Sequence, residues 1–221
     1  MSITSNQPIG EENDGLTQAL WRFCRRDQFL NDPTNGYYVR DDFTNAPLFA
    51  SATSQSGWVT FQDTGATIQG VERLGGWLRF STSATDNDQA AMQAGATVGA
   101  AFSLSTSSPK KLWFECKFRI AQLAETAIAI GLSLKNTQVN DGILADNTGA
   151  LADTDFVGFH VPAHASAAVV SSVYRKTGQT AVTMDASSLT ATAAADVYAG
   201  YYFDGRYLEI YVNRSMVEKY D

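Results

Sequence analysis

The chain has 221 residues, of which 44% are hydrophobic and 18% are charged, a composition that indicates a folded domain and argues against a disordered chain. Its net charge of −7 argues against direct nucleic-acid binding, because a polyanionic ligand must be matched by an excess of Lys and Arg. No stretch approaches the roughly 20 apolar residues of a membrane span, so we expect no membrane partner.

The N-terminal part differs in pattern from the rest. The range 16–30 shows helical spacing, and Asn31–Pro33 ends it, because the residue before a proline disfavours the helical conformation. Either Asp14 or Thr17 is suited to the N-cap. The apolar side chains at helical spacing are Leu16, Leu20, Phe23 and Cys24.

An amphipathic helix outside a sheet must bury its apolar stripe somewhere. It either covers one end of its own domain or belongs to an arm that docks on a partner. We therefore divide the chain into an N-terminal arm, residues 1–39, and a β-domain, residues 40–221. For the docking hypothesis the anchors on the arm are Leu16, Leu20, Trp21, Phe23 and Phe29.

Residues 111–120 give the clearest strand. Apolar and polar side chains alternate along it, which is typical of an antiparallel strand with one face in the core and the other in water or against a neighbour. The core face carries Leu112, Phe114, Cys116, Phe118 and Ile120, and the other face carries Lys111, Trp113, Glu115, Lys117 and Arg119.

Residues 197–212 predict a hairpin with Asp204-Gly205 as a two-residue turn, since Asp-Gly supplies the positive φ angles of a type I′ turn. That turn pairs Phe203 with Arg206 and continues outward. The predicted core face carries Val197, Ala199, Tyr201, Phe203, Leu208, Ile210 and Val212. The opposite face carries Tyr198, Tyr202, Tyr207 and Tyr211 around Gly200 and Glu209.

Weaker alternating segments, separated by turn-rich spacers, predict further strands. About ten strands at this spacing indicate an all-β fold, an antiparallel β-sandwich of the jelly-roll type. The weaker strands are Trp58 to Phe61, Gly76 to Phe80, Ala127 to Leu134, Phe156 to Val161, Ala168 to Arg175 and Gln179 to Met184.

Catalysis is disfavoured by the placement of the acids. A β-sandwich glycosidase needs two carboxyl groups on one face of a strand, often as E-x-D-x-E, and none of the seven glutamates has an acid two or four residues away on a predicted strand. We expect no catalytic residues. His160 and His164 are expected to be structural, because a metal site would need Asp153 or Asp155 and the spacing matches no tight motif.

We expect no cofactor and no bound metal. The oxygen-rich turns at 86–88 and 141–147 lack the ligand pattern of an EF-hand loop, and turn chemistry explains them better than calcium in a loop, which is the alternative. Cys24 and Cys116 form no CxxC pair, and the first 15 residues lack a secretory signal. Both thiols are therefore expected to be free, in a protein made in a reducing cytoplasm.

The tyrosine face of the hairpin leaves three interpretations open. Cross-strand packing alone explains paired aromatic side chains. Exposed aromatic side chains also mark protein interfaces and can stack on sugar rings. For a protein interface the candidate residues on the sheet are Trp113, Tyr198, Tyr202, Tyr207 and Tyr211.

Several segments, in this order, resemble a family of tailed-phage virion proteins with a concanavalin A-like jelly roll, the capsid decoration or head-fibre type. The likeness covers about residues 40–221. It closes with the Tyr-rich hairpin. The segments before the hairpin are Arg40-Asp41-Asp42-Phe43, Gly57-Trp58, Leu74 to Thr82, Asp86 to Ala90, Leu112 to Phe118, Ile128 to Leu132 and Asp155 to Phe159.

The resemblance implies a decoration or cement subunit on the capsid surface, often trimeric, with an N-terminal extension that grips the shell. Its expected partners are the major capsid protein and copies of itself. Phage proteins of this fold also include fibre and receptor-binding modules, so a carbohydrate-binding role is the alternative.

Overall fold

The structure is a computed structural model and describes residues 16–25, 32, 39–43, 58–71, 76–83, 88–94, 110–123, 126–134, 137–145, 149–162, 169–184 and 189–221. These residues contain one short helix, α1, and thirteen strands. In chain order they are α1 Gln18–Trp21, β1 Trp58–Gln62, β2 Thr67–Val71, β3 Trp77–Ser81, β4 Ala90–Ala94, β5 Leu112–Phe118, β6 Ile128–Ser133, β7 Phe156–Val161, β8 Val169–Arg175, β9 Val182–Thr183, β10 Leu189–Thr190, β11 Val197–Phe203, β12 Leu208–Val212 and β13 Ser215–Tyr220.

Two antiparallel sheets form the body of the protein. One has the strand order β13-β12-β11-β5, and the other has the order β10-β8-β7-β6 with β9 also paired to β8. Neighbouring strands join chain segments that lie far apart, as where β5 pairs along its whole length with β11. The antiparallel β-sandwich predicted from the sequence is confirmed.

The main core lies between the two sheets. Tyr201 of β11 is almost completely buried, and its ring lies 6.4 Å from that of Phe159 on β7 and 5.1 Å from that of Phe114 on β5. The Tyr201 hydroxyl reaches the carbonyl oxygen of Val157 at 3.5 Å, so its polar end has an acceptor. The other buried members are Ile120, Val161, Val170, Met184, Ala191, Val197, Ala199, Ile210 and Val212.

Two strand pairs flank the sandwich, β1 with β4 and β2 with β3. Gln93 of β4 connects one of them to the end of β6, because its side-chain amide donates to the carbonyl oxygen of Leu134 at 2.6 Å and to Ser133 Oγ at 3.1 Å. Trp77 of β3 lies over the side chains of Lys117 and Arg119, which extend from the four-stranded sheet.

The alternation predicted for 111–120 is confirmed, since the core-facing set packs against the buried cluster. Five of the six weaker strands lie within one residue of their predicted bounds. The sixth is shorter than predicted and consists only of Val182–Thr183, because Lys176 to Gln179 form a turn in which the Gln179 amide bonds to the Lys176 carbonyl oxygen at 2.9 Å.

The predicted helix over 16–30 is wrong in length within the described residues. Helical structure covers only Gln18–Trp21, and the Cys24 amide donates to the Trp21 carbonyl oxygen at 3.0 Å, which makes a tighter turn after the helix. A helix this short is not stable alone, so tertiary contacts determine its extent. Thr17 is the N-cap, but its side chain bonds elsewhere; Asp14 and residues 26–30 lie outside the described residues.

The predicted register of the hairpin is also wrong. Phe203 pairs with Leu208 rather than Arg206, and the Asp204 amide donates to the Tyr207 carbonyl oxygen at 3.1 Å, so the turn residues are Gly205 and Arg206. The Asp204 carboxylate accepts hydrogen bonds from the amides of Arg206 and Tyr207, both at 2.8 Å, and this local bonding moves the turn by one residue. The pairing shifts by an even number of residues, so both predicted faces are preserved.

Four strands were not predicted: β2, β4, β10 and β13. The last one continues the sheet after a two-residue turn at Asn213 and Arg214, both with positive φ (46° and 70°). Positive φ at both positions is the type I′ geometry, which usually carries glycine at the second position. The sequence signal for this hairpin was therefore missing.

Candidate functional site

The outer face of the four-stranded sheet, which points away from the core, carries the five sheet residues that were predicted to bind a partner: Trp113, Tyr198, Tyr202, Tyr207 and Tyr211. Strand pairing arranges them in rows across β5, β11 and β12. Two rows matter most, one with Trp113, Tyr202 and Glu209, and the next with Glu115, Gly200 and Tyr211.

The described N-terminal residues, 16–25, lie on this outer face, and we call them the docked segment. Its central anchor is Leu20, which is only 1% exposed and packs with Tyr202 and Tyr211. Leu20 fits because the sheet has a glycine beneath it. A Cβ atom on Gly200 would lie 2.5 Å from Leu20 Cδ1 and 2.6 Å from the Phe114 carbonyl oxygen, so any side chain there would displace the segment or the strand.

Glu115 forms the polar anchor on one side of Leu20. Its carboxylate accepts hydrogen bonds from the Thr17 backbone amide at 3.1 Å, from the Thr17 hydroxyl, and from Trp21 Nε1 at 2.6 Å. The Thr17 hydroxyl is thus bonded to the sheet, which explains why it makes no cap bond to its own helix. Bonds to a charged acceptor are stronger than those between neutral groups, so Glu115 fixes the start and the end of α1 together.

Glu209 forms the anchor on the other side. The residue is 7% exposed, and its carboxylate bonds Arg22 Nη2 at 2.9 Å, the Tyr211 hydroxyl at 3.0 Å and Lys219 Nζ at 3.5 Å. Burial, together with donation to Glu209, raises the pKa of Tyr211 to about 12. A buried carboxylate is stable here because two cations and a hydroxyl surround it.

The docked segment covers half of the tyrosine face. Tyr202 and Tyr211 are 4% and 1% exposed, and the Trp113 ring stacks on Tyr202 with centroids 5.2 Å apart. Tyr198 and Tyr207, at the two ends of the face, stay partly exposed. Of the residues expected to be partner anchors on the arm, Leu20 is fully buried and Trp21 half-buried against the protein's own sheet, and Leu16 is half-buried.

Phe23 is the anchor that the structure leaves open, with 54% of its surface exposed. It borders a shallow hollow of about 620 Å³ at the turn end of the hairpin, which we call the terminal groove. Tyr207 forms another part of the lining, with Arg206 4.7 Å and Lys219 4.6 Å from its ring centroid. Lys111 and Asp204 complete the rim of the groove. Phe29 lies outside the described residues.

A second aromatic and basic group lies at the opposite end of the outer face. Tyr198 was predicted as an interface residue, but its contacts with basic side chains were not predicted. Lys117 Nζ lies 5.1 Å from the Trp77 ring centroid and 5.3 Å from that of Tyr198, while the Arg214 guanidinium lies 4.3 Å from Tyr198. Asp196 pairs with both Lys117 and Arg119, and these cations hold the pKa of its carboxyl below its ordinary value. Asp196 therefore offsets one of the three positive charges of this group, which Lys117, Arg119 and Arg214 carry.

The residues considered for metal or catalytic chemistry bond protein groups instead. His160 Nε2 lies 2.7 Å from the Gly149 carbonyl oxygen, and burial lowers the pKa of this imidazole. The Asp155 carboxylate accepts from the Thr177 amide at 2.7 Å and hydroxyl at 2.8 Å. Within the described ranges no three His, Cys, Asp or Glu side chains are placed to hold a metal ion. His164 lies outside these ranges.

A second hollow, of about 560 Å³, lies beside His160. The Asp153 carboxylate there accepts from the Gly178 amide at 2.7 Å and from Arg175, whose guanidinium also donates to the carbonyl oxygens of Leu151 and Gln179. These bonds attach the turn after β8 to the loop before β7. Their arrangement is explained by loop structure alone.

The described aspartates of the oxygen-rich turns also accept hydrogen bonds from protein groups. Asp88 accepts from the Ser83 amide at 3.1 Å, and Asp141 accepts from Gln89 Nε2 at 2.9 Å. Neither Cys24 nor Cys116 forms a disulfide in the described part of the chain. Burial raises the pKa of the Cys116 thiol, which keeps it protonated in the core.

Comparisons with protein-family models, with curated proteins and with solved structures found no match. In the part of the chain that the structure describes, no helix has the length and apolar character needed to cross a membrane.

Proposed function

We propose that this chain is a non-catalytic structural protein of a tailed-phage virion, with a concanavalin A-like jelly-roll fold, that decorates the capsid surface. Its proposed partners are the major capsid protein and copies of itself, as a homotrimer, after synthesis in the cytoplasm of the bacterial host. The observation that carries the proposal is the resemblance of segments along 40–221, whose described parts form one connected substructure.

The contacts between these segments support the proposal. The Asp41 carboxylate accepts from Trp58 Nε1 at 2.7 Å, and the Phe43 and Trp58 rings lie 5.8 Å apart, which joins the two earliest segments. The segment that begins near Leu74 includes β3, whose Trp77 lies over Lys117 of β5. The next two segments pair as β6 and β7. Segments that are scattered in sequence therefore depend on one another in space.

The state of the two strand glutamates on the outer face supports a binding role rather than hydrolysis. Glu115 and Glu209 are each engaged with the docked segment, through Thr17 and Trp21 in one case and Arg22 in the other. A retaining glycosidase needs two carboxyl groups about 5–5.5 Å apart that face a substrate. These two instead face the chain itself.

The terminal groove is the surface that we propose contacts the shell. Phe23 and Tyr207 are aromatic and partly open, and Lys111 and Arg206 beside them can pair with carboxylates of a neighbour. Aromatic side chains surrounded by polar groups are typical of the residues that contribute most to interface energies.

The test is the loading of purified protein onto shells of a tailed phage that encodes this chain, assembled without it. Phe23→Ala combined with Tyr207→Ala should weaken loading at least tenfold, because each anchor typically contributes more than about 1 kcal/mol. Phe80→Ala is the matched control, since Phe80 is 46% exposed on β3, away from the groove. Equal loading of all three proteins would contradict the role of the groove.

Carbohydrate binding is the second candidate, favoured by the same groove. An exposed phenyl ring and a tyrosine ring beside Asp204, Arg206 and Lys111 offer both stacking and hydrogen bonding to a sugar. Binding on a glycan array that is lost in Tyr207→Ala, together with absence of loading on shells, would favour a receptor-binding module. Shell loading without glycan binding would favour decoration.

A further inference from the structure

The outer face carries an excess of positive charge at the end where Tyr198 lies. We call the basic and aromatic side chains there the cationic cluster. Its members are Lys117, Arg119, Arg214, Trp77 and Tyr198. Asp196 pairs with two of the cations, so three positive charges and one negative charge give a net charge of +2. The whole chain has a net charge of −7, and the cluster is therefore opposite in sign to the protein that carries it.

We propose that the cationic cluster binds the acidic residues of the same chain that directly precede the docked segment. Residues 10–14, which we call the acidic stretch, have the sequence Gly-Glu-Glu-Asn-Asp and lie outside the described residues. The side chains of residues 1–15 include three carboxylates, Glu11, Glu12 and Asp14, and neither Lys nor Arg. Their charge of −3 is complementary to the charge of +2 on the cluster.

The docked segment starts at the part of the outer face that is nearer to the cluster. The Thr17 amide bonds the Glu115 carboxylate at 3.1 Å, whereas the Phe23 ring, near the other end, lies 6.0 Å from Lys111 Nζ at the terminal groove. Lys117 lies two residues after Glu115 on the same face of β5, roughly 7 Å along the strand. Lys111 lies four residues before Glu115, roughly 14 Å away in an extended chain. Residues that precede Thr17 therefore start closer to the cluster than to the basic side chains of the groove.

The chain before Thr17 is long enough to reach the cluster. Asp14 and Glu11 lie three and six residues before Thr17, and an extended chain covers up to roughly 10 Å and 20 Å over these intervals. Lys117, at roughly 7 Å from Glu115, lies within the shorter of the two. A carboxylate of the acidic stretch therefore reaches the cluster while Thr17 stays bonded to the sheet.

The aromatic rings hold the cations of the cluster in position. Lys117 Nζ lies 5.1 Å from the Trp77 ring centroid, and the Arg214 guanidinium lies 4.3 Å from that of Tyr198. A cation positioned in this way loses less side-chain freedom when it pairs with a carboxylate. The pairing extends the attachment of the docked segment, and salt weakens it by screening the charges. It is independent of any role on a capsid, so the two proposals can fail separately.

The test is cross-linking of the full chain with a water-soluble carbodiimide, which joins a carboxylate directly to an amine that lies in contact with it. Digestion and mass spectrometry then identify the joined peptides. Lys117 should couple to the acidic stretch and also to Asp196, which lies 3.3 Å from Lys117 Nζ and is the internal positive control. Lys176, which is exposed after β8, is the matched control and should couple to no carboxylate of the acidic stretch.

An equimolar mixture of unlabelled and nitrogen-15-labelled copies identifies which chain supplies the carboxylates. Coupling within one copy joins two peptides of the same isotope, whereas coupling between copies also joins peptides of different isotopes. We expect products of the same isotope only. Products of mixed isotope at the statistical ratio would overturn the assignment to the same chain. Coupling of Lys117 to Asp196 alone, or equal coupling of the acidic stretch to Lys117 and Lys176, would overturn binding at the cluster.

A second measurement does not depend on cross-linking. The variant with Glu11→Gln, Glu12→Gln and Asp14→Asn removes three charges and keeps polar side chains of similar size. Its Trp21 amide, which donates to the Thr17 carbonyl oxygen, should exchange roughly fivefold faster than that of the native protein at low salt. The difference should disappear at about 1 M salt, where charges are screened within roughly 3 Å. Equal exchange rates at low salt would contradict the pairing.

Discussion

The Leu20→Ala substitution tests how strongly the docked segment is attached to the sheet. Leu20→Ala removes a side chain that is 1% exposed and is surrounded by Tyr202, Tyr211 and Trp21. Truncation of a buried leucine to alanine costs about 2–5 kcal/mol. The lower end applies here, because α1 lies at the surface and can settle into the space. A loss of about 2.8 kcal/mol corresponds to roughly a 100-fold shift of the docking equilibrium.

The loss of stability in Leu20→Ala should be confined to the docked segment. The docked segment is attached by side chains, whereas Ile210, which is fully buried between the sheets, belongs to the central core. Native-state hydrogen exchange separates the two cases, because each amide reports the opening that exposes it. In Leu20→Ala the Trp21 amide, bonded to the Thr17 carbonyl oxygen at 3.1 Å, should exchange roughly 100-fold faster while amides of β7 change little.

Ile210→Ala is the contrasting variant and should accelerate exchange throughout both sheets, because it lowers the free energy of global unfolding. Local opening in Leu20→Ala would agree with a detachable segment. Uniform acceleration in Leu20→Ala, matching that in Ile210→Ala, would contradict local opening of the docked segment, because the segment would then unfold only with the whole domain.

Three further predictions concern single groups. The pKa of His160 in the folded protein is below 6.5, so the neutral imidazole stabilises the fold above pH 6.5, and this stability is lost as pH falls through the folded-state pKa. In urea denaturation, His160→Gln should therefore lose less stability on acidification than the native protein does. An equal dependence of the unfolding free energy on pH in the two proteins would contradict this. The pKa of Tyr211 is raised from 10 to about 12, so the neutral phenol contributes stability below pH 10, and this stability is lost as pH rises towards 12. Tyr211→Phe should lose less stability over this interval than the native protein does. Equal losses would count against the hydrogen bond to Glu209. A Cβ atom at Gly158 would lie 2.3 Å from the Ile130 carbonyl oxygen, so Gly158→Ala should lower the free energy of unfolding by at least about 2 kcal/mol. Ser171→Ala, on the adjacent strand, should lower it by less than about 1 kcal/mol. Similar losses in the two variants would contradict the close approach of the strands at Gly158.

The faces of the strands were predictable because side-chain alternation depends only on the two-residue period of a strand. Leu112 to Phe118 and the two hairpin faces follow it, and the hairpin faces survive even the wrong register, since that error is an even number of residues. The register itself depends on how Asp204 bonds the amides of the turn, which composition does not reveal. Asp-Gly indicates a turn without fixing its central residues.

The part of the outer face that the docked segment covers could be predicted only in part. Trp113 and the tyrosines were identified as an aromatic face, but nothing local to them indicates that a segment more than 90 residues earlier in the chain covers them. Glu115 and Gly200 gain their roles only when Thr17 and Leu20 lie above them. Long-range contacts of this kind also explain the short helix, because they rather than helical propensity set its length.

Sedimentation of the native protein, alone and with shells assembled without it, tests our proposal that the chain decorates a capsid by binding to the shell. We expect a trimer that co-sediments with the shells at a fixed, saturable ratio to the major capsid protein. A protein that remains in the supernatant at every concentration, while the shells pellet, would contradict the claim.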